Sequence, residues 1–153
     1  HQSLSRGKVR ILGNGTNRMN TVYAGSVARC CILASETEAA LGQAYNATYD
    51  GAITQREWLY LWADTFRVAR PARRVPYALA FQAGFLLEMA YRLMGAKKPP
   101  LITRYSAWLL GRPTFYLSHK AEQQLGWKPV VTYQEGVQKT VDWYLRTSNQ
   151  IRG

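Results

Sequence analysis

The chain has 153 residues, 47% of them hydrophobic and five of them Trp; this is the length of one domain with enough apolar side chains for a core, and it excludes a disordered tail. Twenty Lys and Arg against nine Asp and Glu leave a net charge of +11, which invites an anionic partner: nucleic acid, lipid or a small molecule. Two histidines and an adjacent Cys30-Cys31 pair provide no metal-ligand spacing, no redox motif and no geometry for a disulfide. Both cysteines read as small apolar fillers in a reducing compartment, the cytoplasm. The first residue is His1 rather than Met and no signal-peptide core follows it, which suggests a fragment, a processed chain or a misplaced gene boundary.

Taken in chain order, residues 8–12 form a short β-prone run ended by Gly13-Asn14-Gly15, and residues 21–24 form a second. Ser26 reads as the N-cap of a helix whose Val27, Ala28, Cys31, Ile32 and Ala39 follow a 3.6 period, with Gly42 at its end. Residues 44–48 are a third β-prone run, with Asp50-Gly51 as its turn. Thr54 and Glu57 make a capping box for a helix to about Val68, with Leu59, Trp62, Ala63 and Phe66 on one stripe. Arg70-Pro71 breaks it. Val75-Pro76 opens the next helix, which runs to about Met94. Residues 97–100 connect it to a helical stretch at 103–110, and residues 114–117 read as extended.

The most informative segment is Ser118-His-Lys-Ala-Glu-Gln-Gln-Leu-Gly-Trp-Lys-Pro129 with Thr132-Tyr-Gln-Glu-Gly136. Ser118 reads as the cap of a short helix, Gly126 as its left-handed stop, and Pro129 as a bar to continuation. Thr132 and Glu135 then open a last helix, 133–146, that buries Val137, Val141 and Tyr144 or Leu145. Helices outweigh strands, so the residues point to a helix-rich α/β piece.

This order of parts resembles the closing segment of the extended short-chain dehydrogenase/reductases, the NAD-dependent epimerase/dehydratase superfamily. Residues 8–28 are similar to the strand, Gly-x-Gly-x-Asn turn, Val-Tyr and helix start that those enzymes place after their catalytic region. Gly42-Gln-Ala-Tyr-Asn46, Thr54 with Glu57, Val75-Pro76 and Lys98-Pro-Pro-Leu-Ile-Thr103 continue the likeness, and fit the 3-beta-hydroxysteroid dehydrogenase/isomerase group best. The match runs from about Arg6 to Leu145. Two departures count: Ser26 stands where an Asn or Asp is usual, and Met19 stands where the sugar-nucleotide branch has Arg, with Arg18 one residue away and so on the other face of a strand.

The resemblance implies the C-terminal part of a Rossmann-like enzyme: a few short strands and about five to six helices, lacking the nucleotide-binding sheet. Residues 1–153 are then one substrate-binding domain or fragment, and the N-terminal Rossmann domain is absent. It implies an NAD or NADP cofactor for the full-length enzyme, hydride transfer at a secondary alcohol or ketone, a lipophilic, sterol-like substrate, and a missing Rossmann half or partner chain. Candidate substrate-binding residues are Asn17, Arg18, Asn20 and Tyr23 around the turn, with Tyr77 and Phe81 on the apolar helix; turn formation and core packing account for each equally well. Part of the surface should be apolar, where the other half would sit. The alternative is a stand-alone, non-catalytic module for a lipophilic ligand, a membrane surface or a protein.

Two motifs are set aside. Tyr116-Leu-Ser-His-Lys120 has the Tyr-x-x-x-Lys spacing of the superfamily's acid/base pair, but Tyr116 precedes the Ser118 cap, so the two side chains need not converge. Tyr116 reads as an apolar strand residue and Lys120 as a surface charge. Gly13-Asn-Gly-Thr-Asn-Arg18 lacks the third glycine of a dinucleotide loop and leads into an extended run rather than a helix; it reads as a hairpin-like turn. No catalytic residue, cofactor site or metal site is expected on this chain, and no cofactor is expected to bind it alone. The helix at 75–95 is broken by Gln82, Glu88 and Arg92 and is too interrupted to span a bilayer; it reads as a core or substrate-pocket helix, with a membrane-surface helix as the alternative, since Arg73, Arg74, Lys97 and Lys98 flank it as lipid anchors would. Nucleic acid fits poorly, because Tyr and Trp fall at core spacing rather than among the basic residues.

Overall fold

Reciprocal capping chemistry sets three of the helix starts. The computed structural model describes residues 2–49, 53–114 and 116–152, apart from the side chains of residues 2 and 149–152. Its elements are α1 (Gln2–Ser5), β1 (Ile11–Leu12), α2 (Ala24–Glu36), α3 (Gln55–Thr65), β2 (Arg74–Val75), α4 (Tyr77–Leu93), α5 (Arg104–Gly111), α6 (His119–Leu125) and α7 (Tyr133–Arg152), with a 3-10 turn at Glu38–Ala40 after α2. Thr54 caps α3 with Glu57 in a reciprocal box, Thr103 and Ser106 do the same for α5, and Thr132 and Glu135 for α7. Gly126 at φ 62° ends α6, and Gly95 at φ 63° follows α4.

Three packing units follow. In the first, Trp127 is fully buried among Cys30, Ala40, Ala121 and Leu125. Its indole Nε1 donates to the Ser26 carbonyl at 2.8 Å, and Val130 N donates to the Ser26 hydroxyl at 3.2 Å, so α2, α6 and the segment after α6 close on one residue. In the second, α3 packs on α7, with Val137 and Val141 buried and an aromatic row of Trp58, Trp62, Phe66 and Tyr144 at centroid spacings of 5.7 to 6.1 Å. In the third, α4 crosses α5 at Gly84, the buried residue of α4. A Cβ there would lie 2.8 Å from Arg104 N, so only glycine admits this approach. Glu88 accepts from both the backbone N (2.8 Å) and Nε (2.7 Å) of Arg104, which ties the helices beside the crossing.

The structure corrects several local expectations. Of the β-prone runs, only Ile11–Leu12 is a strand. It pairs in parallel with Arg74–Val75, a strand not foreseen, instead of returning through residues 21–24 as a hairpin. Residues 21–23 and 44–48 stay unladdered because no strand lies beside them; Asp50-Gly51 and Phe115 fall outside the described residues. Ser26 lies inside α2, not at its cap, since Trp127 and Val130 use its polar groups; Tyr23 holds the cap position without a side-chain bond. Ser118 holds the N-cap position of α6 as expected, but its hydroxyl donates to the Glu122 carboxylate at 2.7 Å instead of accepting from a backbone N–H. Cys31 is exposed, while Cys30 alone joins the core. Tyr144 and Leu145 are both exposed, Tyr144 resting edge-on against Phe66. Tyr116 precedes α6, is exposed, and belongs to no strand. Lys120 is an exposed clasp: its Nζ donates to Gln43 Oε1 at 2.8 Å and the Ala44 carbonyl at 3.1 Å, above the Tyr45 ring. α3 stops at Thr65, three residues early, and α7 runs past 146 to Arg152.

Two measurements check this packing. Gly84→Ala is expected to lower the unfolding free energy by about 1–3 kcal/mol, because the added methyl meets backbone that cannot step aside; an unchanged urea midpoint would contradict the crossing. The second concerns acid. Bonds from backbone N–H groups, chiefly Thr54 to Glu57, Arg104 to Glu88 and Thr132 to Glu135, hold these three carboxyls below their ordinary values. Such groups favour the folded state above the unfolded carboxylate pKa of about 4.3, and the advantage is lost as pH falls through the lowered folded values. Thermal midpoints should therefore hold above about pH 5 and fall below about pH 4, with a shallower fall in Glu88→Gln.

Candidate functional site

The turn after β1 is built by short-range chemistry. Asn14 Oδ1 accepts from Thr16 N at 3.1 Å and Thr16 Oγ1 at 2.8 Å, and the Arg56 guanidinium donates to the Asn14 carbonyl at 2.8 Å. Gly15 sits at φ 73°, and a Cβ on it would lie 2.6 Å from Ile11 Cγ2. Residues 15–19 then run antiparallel to residues 53–56: Met19 N donates to Ile53 O, Gln55 N to Asn17 O and Arg56 N to Gly15 O, with a bridge at Arg18 and Thr54. This returning chain leads onto no helix N-terminus, so the turn offers no ready pyrophosphate cradle.

Behind it lies Gln55, 4% exposed. Its Oε1 accepts from Leu12 N at 2.9 Å and its Nε2 donates to the Leu110 carbonyl at 2.7 Å. Leu110 O accepts a second amide, Asn17 Nδ2, at 2.8 Å. The start of α3, the strand β1 and the end of α5 are thereby joined at one side chain. Gly111, next in α5, has room for no Cβ, since Tyr77 and Leu12 press against it.

An open cleft of about 420 Å³ results, lined by Leu12, Gly13, Asn17, Arg18, Gly111 and Pro113 among others. Arg18 is exposed there and has no ion pair among the described residues. Tyr77 stands behind Gly111 with the Arg112 guanidinium 5.6 Å above its ring and Phe81 5.9 Å away. The six sequence candidates therefore divide. Asn17 and Arg18 line the cleft, Tyr77 packs behind its Gly111, and Phe81 lies beyond Tyr77, outside the lining. Asn20 is a strut: Nδ2 donates to the Thr114 carbonyl at 2.5 Å and Oδ1 faces the Thr48 hydroxyl at 3.5 Å. Tyr23 lines a separate cavity of about 280 Å³ with Tyr49, Trp58, Trp62 and Tyr133, where Thr21 Oγ1 is buried with no hydrogen-bond partner among the described residues.

Sequence reasoning passed over Gln55, which organises the cleft. Its signal is faint: Ile53 and Gln55 are both buried around Thr54, so a polar residue holds an inward position in a two-residue alternation.

No family model matches the chain. Over 152 residues it is 31% identical to 3beta-hydroxysteroid-dehydrogenase/decarboxylase isoform 1 of Arabidopsis thaliana, covering 92% of this chain and 35% of that protein. It is 28% identical over 138 residues to 2-alkyl-3-oxoalkanoate reductase of Shewanella oneidensis, covering 87% of this chain and 36% of that one. The chain thus spans little more than a third of the length of these curated relatives. The crystal structure of gox2253 shares the fold with a TM-score of 0.63 at 21% identity, over 86% of this chain and 38% of that one. The fold and these matches define a C-terminal part of a dehydrogenase/reductase of the epimerase/dehydratase type. The chain belongs to the extended short-chain dehydrogenase/reductases and is most like their 3-beta-hydroxysteroid dehydrogenase group.

Replacing Gln55 by Leu removes both bonds of the bridge. The substitution is expected to cost about 2–4 kcal/mol, read as a lower urea midpoint with unchanged slope.

Proposed function

We infer that this chain supplies the substrate-facing wall of an NAD(P)-dependent oxidoreductase that interconverts a secondary alcohol and a ketone on a lipophilic acid. The observation that carries this reading is Arg18, a cation without an ion pair among the described residues, in a cleft that Leu12, Gly111 and Pro113 line together with the polar Asn14, Thr16 and Asn17. Such a site suits a molecule with an apolar body and one anionic end. The two relatives act on very different carbon frameworks, yet both names carry an oxygen function at carbon 3 and a carboxyl group, the group lost in one and retained as the alkanoate in the other. A carboxylate held by Arg18 would fix the distance to that oxygen.

The glycine turn at residues 13–18 continues as extended chain rather than a helix, so it gives the pyrophosphate of a dinucleotide no helix N-terminus. The chain's own part is to orient and to exclude water: Arg18 takes the anionic end, Tyr77 and Phe81 stiffen the backing, and Asn17 keeps its amide on Leu110 O so that the turn does not move.

Calorimetric titration of the 153-residue chain with NADH and NADPH is expected to give no micromolar binding. In the product of the whole reading frame that contains it, NAD(P)-linked turnover of a long-chain 3-oxo acid is expected. Arg18→Ala should raise KM for that acid about ten- to a hundredfold and leave the methyl ester unaffected. Equal effects on acid and ester would remove Arg18 from the reading, and no turnover of 3-oxo or 3-hydroxy compounds would remove the reading itself.

A further inference from the structure

Cations gather where the two strands meet. Residues 6–10 and 67–74 hold seven Lys and Arg and no acid. They lie far apart in the sequence and come together because β1 pairs with β2: Ile11 N donates to the Arg73 carbonyl at 3.0 Å, and Ile11 stands opposite Arg74. Arg6, Lys8, Arg10, Arg67, Arg70, Arg73 and Arg74 are all exposed there. The acid that precedes the second segment, Asp64, is already taken. Arg70 Nε and Nη2 donate to its two oxygens at 2.8 and 2.7 Å, and the same guanidinium lies over the Tyr60 ring at 5.0 Å. Arg6, Lys8, Arg67, Arg73 and Arg74 have no ion pair among the described residues. Like charges crowded in this way repel one another, and an anion laid across them relieves that repulsion.

One of these cations is held at a backbone cost. α3 ends in a Schellman turn, with Arg67 N donating to the Asp64 carbonyl at 3.0 Å and Val68 N to the Ala63 carbonyl at 2.9 Å. The left-handed position of such a turn is ordinarily glycine, as Gly126 is after α6. Here it is Arg67, at φ 55°, the one non-glycine with positive φ among the described residues. A residue with a Cβ is strained there, and what the arginine adds to the turn is its charge.

Between the cations is a depression of about 190 Å³, lined by the apolar Leu4, Val9, Ala69 and Pro71 and by Arg10 and Arg73. Cations around an apolar hollow suit a polypeptide whose carboxylates bracket one apolar side chain. Guanidinium forks meet carboxylates through paired parallel bonds, and the hollow takes the apolar group out of water. A single-stranded nucleic acid needs rings on which its bases stack, and the Tyr60 ring beside the cluster is covered by Arg70. A second copy of the chain would bring the same cations and be repelled.

We propose that the β1–β2 face is a docking surface for an acidic segment of another polypeptide, with Arg6, Lys8, Arg67, Arg73 and Arg74 taking its carboxylates and the hollow beside Arg10 taking an apolar side chain between them. This goes beyond the oxidoreductase reading and is tested without nucleotide or substrate. In fluorescence anisotropy, the chain binds a short labelled peptide of glutamates around one central leucine, and added salt weakens the binding. Arg73→Gln with Arg74→Gln lowers the affinity about tenfold. Arg29→Gln with Lys128→Gln, the same loss of charge on the exposed surface of the Trp127 unit, leaves it within about twofold. Arg67→Gly separates docking from folding, because it relieves the left-handed strain: the urea midpoint rises or holds while the affinity falls about threefold. Exchanging the peptide's leucine for glycine also weakens binding. The proposal fails if both double variants lose affinity equally, if Arg67→Gly lowers the urea midpoint or leaves the affinity unchanged, or if the leucine-free peptide binds as tightly. It fails too if a single-stranded RNA of equal charge binds more tightly than the peptide. It fails equally if the product of the whole reading frame ignores a peptide that the 153-residue chain binds, since the rest of the polypeptide would then cover this face.

Discussion

A single buried amide governs the candidate cleft of this molecule. Gln55 reaches from the first turn of α3 to the strand β1 on one side and to the last carbonyls of α5 on the other. An interior with both ends of an amide satisfied is rigid, and one with either end orphaned is costly. The turn after β1 therefore has little freedom. Its Asn17 shares the same carbonyl, and Arg18 is displayed at a fixed place beside Gly111. Distant segments also meet there without a large core beneath them; the fully buried side chains are few, with Trp127 the largest.

Where the chain's own chemistry is local, its sequence is readable. Thr54 with Glu57, Thr132 with Glu135, and Gly126 each announce a helix end through contacts no more than a few residues away, and each is found where the pattern puts it. The strands were harder. A β-prone run becomes a strand only if another arrives beside it, and residues 21–23 and 44–48 have no such neighbour, whereas Arg74–Val75, an unpromising pair before a proline, does. Ser26 and Ser118 look like caps in isolation, but Val130 and Glu122 claim their hydroxyls. Long-range hydrogen bonding overrules short-range preference at Ser26, whereas Ser118 keeps the N-cap position and gives its hydroxyl to a partner only four residues on.

The site follows the same division. Its glycines and its Asn-rich turn are visible in the chain, because φ restrictions and side-chain-to-backbone bonds act over two or three residues. Its organising residue is not, because what makes Gln55 unusual is its distance in sequence from its partners at Leu12 and Leu110. Trp62 and Phe66, by contrast, were legible with Leu59 and Ala63 as one apolar stripe, of which Ala63 is buried, while the two rings belong to a partly buried aromatic row from Trp58 to the exposed Tyr144.

Its bond to Gln55 also limits what the Leu12 N–H can pair with. A two-residue parallel ladder normally leaves donors on its flanks that could recruit a stray strand from another molecule. Here the outward donor of β1 is already occupied by Gln55, and β2 runs straight into Pro76, which has no N–H to give. The β1 margin of the ladder is closed at Leu12 and Pro76 cuts the β2 margin short, so the two-residue sheet offers a joining strand little backbone to pair with.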